Sequence, residues 1–202
     1  MSAGAASDRL SPLTSQAVFR VLLQSLARPG RVMALPGPAA GGGPGAEAGR
    51  GVGPGIVPLA LAVVGSKVAV AGAPSWQARI CRATGASAAD LAEASLVAFY
   101  GTADPRAVSL LRRGSATVPE DGAKVGLTCD ALTEGGPGET TLELSGPGVP
   151  GRARLGVDGV RRDVFDALRA ANAMFPAGVD VWLIDERGMV AGLPRSTRQV
   201  VI

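Results

Sequence analysis

Hydrophobic and polar positions follow two periods along this chain. Over residues 14–27, Val18, Leu22, Leu23 and Leu26 fall at helical spacing on one face, and Thr14 or Ser15 is placed to cap the helix. Phe19-Arg20 lies on its edge and Pro29-Gly30 ends it. Residues 31–35 predict a short strand. The apolar run 56–64 favours a short helix through its Leu59, Ala62 and Val63 spacing, and Gly65-Ser66 separates it from a strand over 67–71. An amphipathic helix follows over 76–83, with Ser75 as its cap and Arg79 and Arg82 on one side; 88–94 reads as a further helical turn or two. Residues 96–100 form a buried strand. Pro105 opens a helix running to Arg113 with Val108 and Leu111 inward, and 124–129 is another strand.

The second half of the chain alternates more strictly. Residues 140–144 have one apolar and one polar face, and 152–155 continue that sheet after a turn. Asp158 is placed to cap a last helix over 160–174, whose Val164, Leu168 and Ala171 face inward and which Phe175-Pro176 terminates. Strand 179–184 is apolar on both sides except for Asp180, so both its faces are expected to be covered. A four-residue turn, Asp185-Glu186-Arg187-Gly188, leads to strand 189–193 and sets Ile184 opposite Met189 and Asp180 opposite Leu193. Arg195 is then the diagonal neighbour of Asp180 on the same face. A carboxylate among apolar residues needs a partner or it neutralises. The pattern therefore predicts an Asp180–Arg195 ion pair that fixes the C-terminal segment, with a ligand contact by Arg195 as the alternative. Strands and helices alternate through most of the chain, which predicts an α/β sandwich with a mixed sheet.

Composition narrows the chemistry. The chain has 202 residues, 47% hydrophobic and 18% charged, which is enough for a core and fits one domain spanning 1–202. Residues 1–13 are expected to be a flexible N-terminus. Residues 36–55 hold nine Gly and four Pro and are expected to be a flexible loop, since no capped helix with a Lys-Ser/Thr pair follows to make a phosphate site. There is no histidine, which removes His-based triads, His acid–base catalysis and nearly all zinc sites. The two cysteines, Cys81 and Cys129, cannot build an iron–sulfur or all-Cys zinc site alone and are expected to be reduced core residues. No metal is expected. Aromatics make up only 3% and no basic stripe appears, so nucleic acid is not an expected partner. The longest apolar run falls far short of a membrane span, and no signal peptide is visible, so the expected location is the cytoplasm.

The remaining motifs have plain readings. Gly146-Pro-Gly-Val-Pro-Gly151 matches a dinucleotide fingerprint in letters only, because Pro147 and Pro150 supply no N–H to a pyrophosphate and no helix begins at Arg152. Lys67 and Lys124 are the only lysines. Each sits at a strand start after a turn and reads as solvated rather than as a Schiff-base lysine. Glu120-Asp121 and Asp185-Glu186 have turn compositions and read as solvated carboxylates. Asp163 and Asp166, with Arg162 and Arg169 nearby, read as surface ion pairs. No catalytic residue is assigned.

Four segments in order carry a family resemblance: Phe19-Arg20 with Pro29-Gly30, Leu144-Ser-Gly-Pro-Gly-Val149, Phe175-Pro-Ala-Gly-Val-Asp180 and Leu193-Pro-Arg-Ser-Thr197. The chain resembles PhnH, the H subunit of the bacterial carbon–phosphorus lyase core complex, from about Ser15 to Val200; the Gly-rich segment departs from the family pattern. The resemblance implies a three-layer α/β/α sandwich similar to the large domain of pyridoxal-phosphate-dependent transferases, without the cofactor or its lysine. It implies homodimers that join the G, I and J subunits. In that complex the I subunit and its partners, with an associated ATP-binding-cassette protein, replace the adenine of ATP by a phosphonate. The C–P bond cleavage that follows belongs to the J subunit. The implied role of this chain is structural or assembly, with no cofactor of its own; a stand-alone transferase is the alternative class.

Overall fold

A computed structural model describes residues 9–36 and 53–202. Most of the expected N-terminal tail and Gly/Pro-rich loop lies outside the described residues. The first helix, α1 (Pro12–Ala27), starts earlier than Thr14. Its N-cap is Ser11, whose hydroxyl accepts from the Thr14 N–H at 3.1 Å, with Pro at the first helical position. Helices α2 (Ile56–Leu61), α3 (Pro74–Thr84), α4 (Pro105–Ser109) and α5 (Arg162–Ala171) follow.

Seven strands form one mixed sheet: β1 (Met33–Ala34), β2 (Lys67–Ala71), β3 (Ser87–Ala88), β4 (Leu96–Phe99), β5 (Lys124–Thr128), β9 (Asp180–Ile184) and β10 (Met189–Leu193). Their order is β1-β10-β9-β5-β4-β2-β3. Strands β9, β5, β4, β2 and β3 run parallel, and β10 is antiparallel to both β9 and β1. A second, antiparallel sheet has the order β11-β7-β8-β6, from β6 (Ala131–Glu134), β7 (Thr140–Ser145), β8 (Ala153–Asp158) and β11 (Arg198–Val201).

Alternation along β9 shows how the layers stack. Val181 and Leu183 face a core shared with Leu142, Leu144 and Leu155 of the second sheet and with Val164 and Leu168 of α5. Trp182 and Ile184 face α1 and α2. The indole Nε1 of Trp182 donates to the Leu22 carbonyl at 3.0 Å, tying α1 to the sheet centre. One face of the main sheet is thus covered by helices. The other is covered by α4 and α5 together with the small sheet, so the strands within residues 131–158 do not extend the main mixed sheet but pair in their own.

Several local expectations fail for identifiable reasons. Ser75 does not cap α3; the helix begins two residues earlier than expected, at Pro74, with Ala73 before it. Residues 88–94 do not form a helix: Ser87–Ala88 pair with β2, and only a turn follows. Asp158 does not cap α5, because it ends β8 and its carboxylate accepts from the Glu139 N–H at 2.7 Å. The last hairpin is also one residue out of the expected register. Ile184 pairs with Val190 and Val181 with Leu193. The loop is Glu186-Arg187-Gly188, closed by Asp185 N–H donating to the Met189 carbonyl at 3.0 Å, with Gly188 in the left-handed region at φ 78. This is the three-residue hairpin that uses an αL glycine, not a four-residue turn.

Candidate functional site

Asp180 and Arg195 meet at the amino ends of the parallel strands. Pairing of β10 with β9 ends at Leu193, and Pro194 has no N–H to continue it. The chain then turns, with Thr197 N–H donating to the Pro194 carbonyl at 2.9 Å, and this turn carries Arg195 across the end of β9. Arg195 therefore reaches Asp180 from a turn, not as the diagonal strand neighbour the expected register implied. Its Nε lies 3.2 Å from both Asp180 carboxylate oxygens, its Nη2 2.7 Å from Oδ2, and its backbone N–H donates to Oδ1 at 2.9 Å. Nη1 donates to the Pro119 carbonyl. The side chains are 12% and 18% exposed, respectively. Gly122 makes room, since a Cβ there would lie 2.7 Å from Arg195 Nη1. Asn172 at the end of α5 pins the approach to β9, accepting from Val179 N–H at 2.7 Å and donating to its carbonyl at 3.2 Å.

Lys124 belongs to the same cluster, and that position was not legible in the sequence. It is the strand neighbour of Asp180 across the β5–β9 ladder. Its ammonium is held by the Glu120 and Gly122 carbonyls at 3.0 and 3.3 Å. Half-burial pushes its pKa below the ordinary lysine value, and the Asp180 carboxylate opposes the shift. Its expected full solvation is corrected accordingly. Lys67 does stand at an exposed strand end, where its ammonium pairs with Glu93 at 2.8 Å. Asp185 is likewise not a solvated turn carboxylate: its side chain is buried and accepts from the Arg187 and Met189 N–H groups at 2.9 and 2.8 Å. Asp163 pairs with Arg161, not Arg162, and Asp166 pairs with Arg169 at 3.1 Å. Cys129 is buried but Cys81 is only partly so, and both are free.

A cavity of about 590 Å³ lies beside the Asp180–Arg195 cluster, bounded by Arg169, Asn172, Phe175, Arg195 and Arg198. Thr197 and Gln199 also border it, and the buried Thr197 Oγ1 and Gln199 Oε1 have no hydrogen-bond partner among the described residues. Thr197 closes the motif 193–197, whereas nothing in the sequence marked Gln199, since a polar residue on an end strand ordinarily faces solvent.

The carboxyl end of the parallel sheet is different. Helix α3 packs on the face that carries α1 and α2, whereas α4 packs on the opposite face, so the winding reverses between β2 and β4. Open α/β sheets take their ligands in the crevice at such a reversal. Here the chain's own segment from Gly53 to Val57 packs over the middle of β5 and against the side chain of Tyr100, just past the end of β4. The Pro54 carbonyl would be 2.4 Å from a Cβ on Gly126 of β5, and Gly55 is packed against the Tyr100 hydroxyl. Tyr100 stacks on Trp76 with ring centroids 5.9 Å apart, and Arg79 lies 4.1 Å above Trp76. Burial pushes the Tyr100 hydroxyl well above its ordinary pKa, offset in part by the Gly55 backbone and Arg79. Among the described residues there is no group of three or more Cys, Asp and Glu that could hold a metal ion, and no helix long and apolar enough to cross a membrane.

The four motif segments are brought into two neighbouring contacts. Residues 175–180 meet 193–197 at the Asp180–Arg195 pair. Gly148 of the β7–β8 turn lies so close to the end of α1 that a Cβ on it would be 2.3 Å from the Ala27 carbonyl and 3.1 Å from Pro29 Cδ. The chain is similar to the alpha-D-ribose 1-methylphosphonate 5-triphosphate synthase subunit PhnH of Rhizobium meliloti (strain 1021), at 32% identity over 191 residues, covering 91% of this chain and 89% of that one. The family model described as bacterial phosphonate metabolism protein (PhnH) matches residues 9–200, and the chain belongs to that family.

Proposed function

We propose that this chain is a non-catalytic assembly subunit of a cytoplasmic complex that transfers an alkylphosphonate to the ribose 5-triphosphate of ATP with release of adenine. Its relationship to a protein named as a subunit of such a synthase supports the placement. The observation that carries the non-catalytic part is the packing beside the winding reversal: residues 53–57 lie over β5 and against the Tyr100 side chain, next to the place where a sheet of this winding would otherwise seat a ligand. The lysines point the same way. Lys67 is tied up by Glu93, and the Lys124 ammonium donates to two backbone carbonyls beside the Asp180–Arg195 pair, so both lysines are engaged in structural contacts. A fold akin to the large domain of pyridoxal-phosphate-dependent transferases, in one domain and without that cofactor, is part of the same reading. Exposed apolar side chains suit homodimer and G, I and J subunit contacts: Leu13 and Leu23 on α1, and Met174 and Phe175 after α5. Asp180 and Arg195 act here as the lock that closes the sheet. The test is co-expression with the other synthase subunits followed by size-exclusion chromatography; this chain co-elutes with them, and separate elution sinks the assignment.

A second reading, a phosphonate- or nucleotide-binding subunit, is favoured by one observation. The 590 Å³ cavity brings Arg169, Arg195 and Arg198 beside two buried polar atoms that lack partners. Calorimetry with ATP and with methylphosphonate separates the two, because an assembly subunit gives no heat of binding and a ligand-binding subunit does.

A further inference from the structure

A second depression, about 1050 Å³, lies on the opposite side of the β7–β8 turn and plays no part in the site above. Its charged lining is Arg28, Arg31, Arg152, Arg154, Glu134 and Glu143. Both carboxylates are already used: Glu134 pairs with Arg31 and also accepts from the Val32 N–H at 3.0 Å, and Glu143 pairs with Arg152. Arg154 lies directly across the β7–β8 ladder from Glu143 without forming an ion pair with it. Arg28 and Arg154 are exposed and have no carboxylate partner among the described residues, so the groove carries two surplus positive charges. The close packing of Gly148 on Ala27 and Pro29 makes its floor rigid.

We infer that this groove receives an acidic polypeptide segment of another subunit of the complex. The inference rests on the reading of the chain as a complex subunit. The volume is at the upper end for a small-molecule site, which usually spans roughly 300–1,000 Å³. Apolar Val32, Met33 and Pro150 stand among the arginines, which suits alternating acidic and apolar side chains of a peptide. A nucleic acid fits worse: no aromatic residue lines the groove for base stacking, and two carboxylates sit in its wall. Guanidinium forks select carboxylates by paired hydrogen bonds, and complementary charge sets partner choice and association rate.

The test compares the wild-type chain with the double variant Arg28→Glu/Arg154→Glu and with Arg82→Glu/Arg106→Glu, exposed arginines away from the groove. Each is co-expressed with the remaining synthase subunits and its affinity for them measured by surface plasmon resonance across a salt series. In parallel, each is titrated with a fluorescein-labelled twelve-residue Glu/Leu peptide and with a labelled twelve-nucleotide single-stranded DNA. The groove variant loses at least about tenfold in affinity for the subunits and for the peptide, with a flatter salt dependence, while the control variant behaves as wild type. A groove variant that assembles like wild type overturns the docking inference and leaves the subunit assignment standing. Failure of the wild type itself to assemble overturns that assignment. The peptide arm then decides the groove alone: equal peptide binding by all three proteins, or tighter binding of the DNA, overturns it. Melting temperatures confirm that every protein compared is folded.

Discussion

Truncating Arg195 to Ala removes the whole guanidinium from a nearly enclosed site. Three contacts to the Asp180 carboxylate go, at 3.2, 3.2 and 2.7 Å, and the Pro119 carbonyl loses its donor. Asp180 is left 18% exposed, still accepting from the backbone N–H of residue 195 at 2.9 Å and still beside Lys124. Breaking a fully buried pair costs about 3–5 kcal/mol, because the surviving charge stays desolvated. The retained N–H, the neighbouring ammonium and the partial exposure of Asp180 all soften that charge, placing the loss near the lower end, at about 3 kcal/mol. For a chain of this size that lowers the melting temperature by roughly 6–12 °C, at about 2–4 °C per kcal/mol. Urea unfolding followed by the fluorescence of the buried Trp182 gives the free energy directly. Asp180→Asn and the double variant complete a cycle whose coupling exceeds about 1 kcal/mol if the two side chains stabilise each other. A loss below about 1 kcal/mol, the range of exposed pairs, refutes the lock. Unchanged stability with lost activity of the assembled complex moves Arg195 to the ligand-binding reading.

Other consequences follow from the same contacts. Asp185→Ala opens the closing hairpin: two backbone N–H groups lose their acceptor, so stability falls by about 2–3 kcal/mol, and hydrogen exchange at Arg187 and Met189 rises well above wild type. Gly126→Ala drives a Cβ to within 2.4 Å of the Pro54 carbonyl and costs about 1–3 kcal/mol in thermal unfolding; no loss would show that residues 53–57 do not rest on β5. Tyr100 supplies a pH dependence. Burial holds its hydroxyl protonated in the native state, while the unfolded chain ionises near 10.0, so its contribution is intact below about pH 10 and is lost as pH rises beyond it. Tyr100→Phe therefore flattens the decline of stability above about pH 10, and an unaltered slope contradicts the burial argument. The fall that begins near 9.0 through the buried Cys129 thiol persists in that variant.

Sequence reasoning was strongest where one residue's chemistry conflicted with its surroundings. Asp180, set in an apolar strand, called for a cation, and Arg195 is beside it. The geometric route was wrong, because letters cannot distinguish a four-residue turn from a three-residue loop whose last position is an αL glycine. The buried Asp185 follows from that same loop. Its carboxylate organises the turn, which a count of acidic residues reads as solvation. The small sheet escaped notice because β6 and β11 are four residues each and show little apolar contrast. Their partners come from distant parts of the chain, which periodicity does not register. Lys124 looked exposed from its flanking turn and became part of the site only through the parallel pairing of β5 with β9. The packing of residues 53–57 was equally invisible, since it depends on their folding over β5 and against Tyr100, both later in the chain.

The central claim is that the chain serves its complex by assembly and not by chemistry of its own. Its most direct test is reconstitution of the synthase from purified subunits with and without this chain, measuring both adenine release from ATP and the size of the complex. The account predicts that this chain co-elutes with the other subunits, releases no adenine alone, and restores activity equally well as wild type or as the double variant Lys67→Ala/Lys124→Ala. Separate elution, or adenine release by this chain alone that vanishes in the lysine variant, would contradict it.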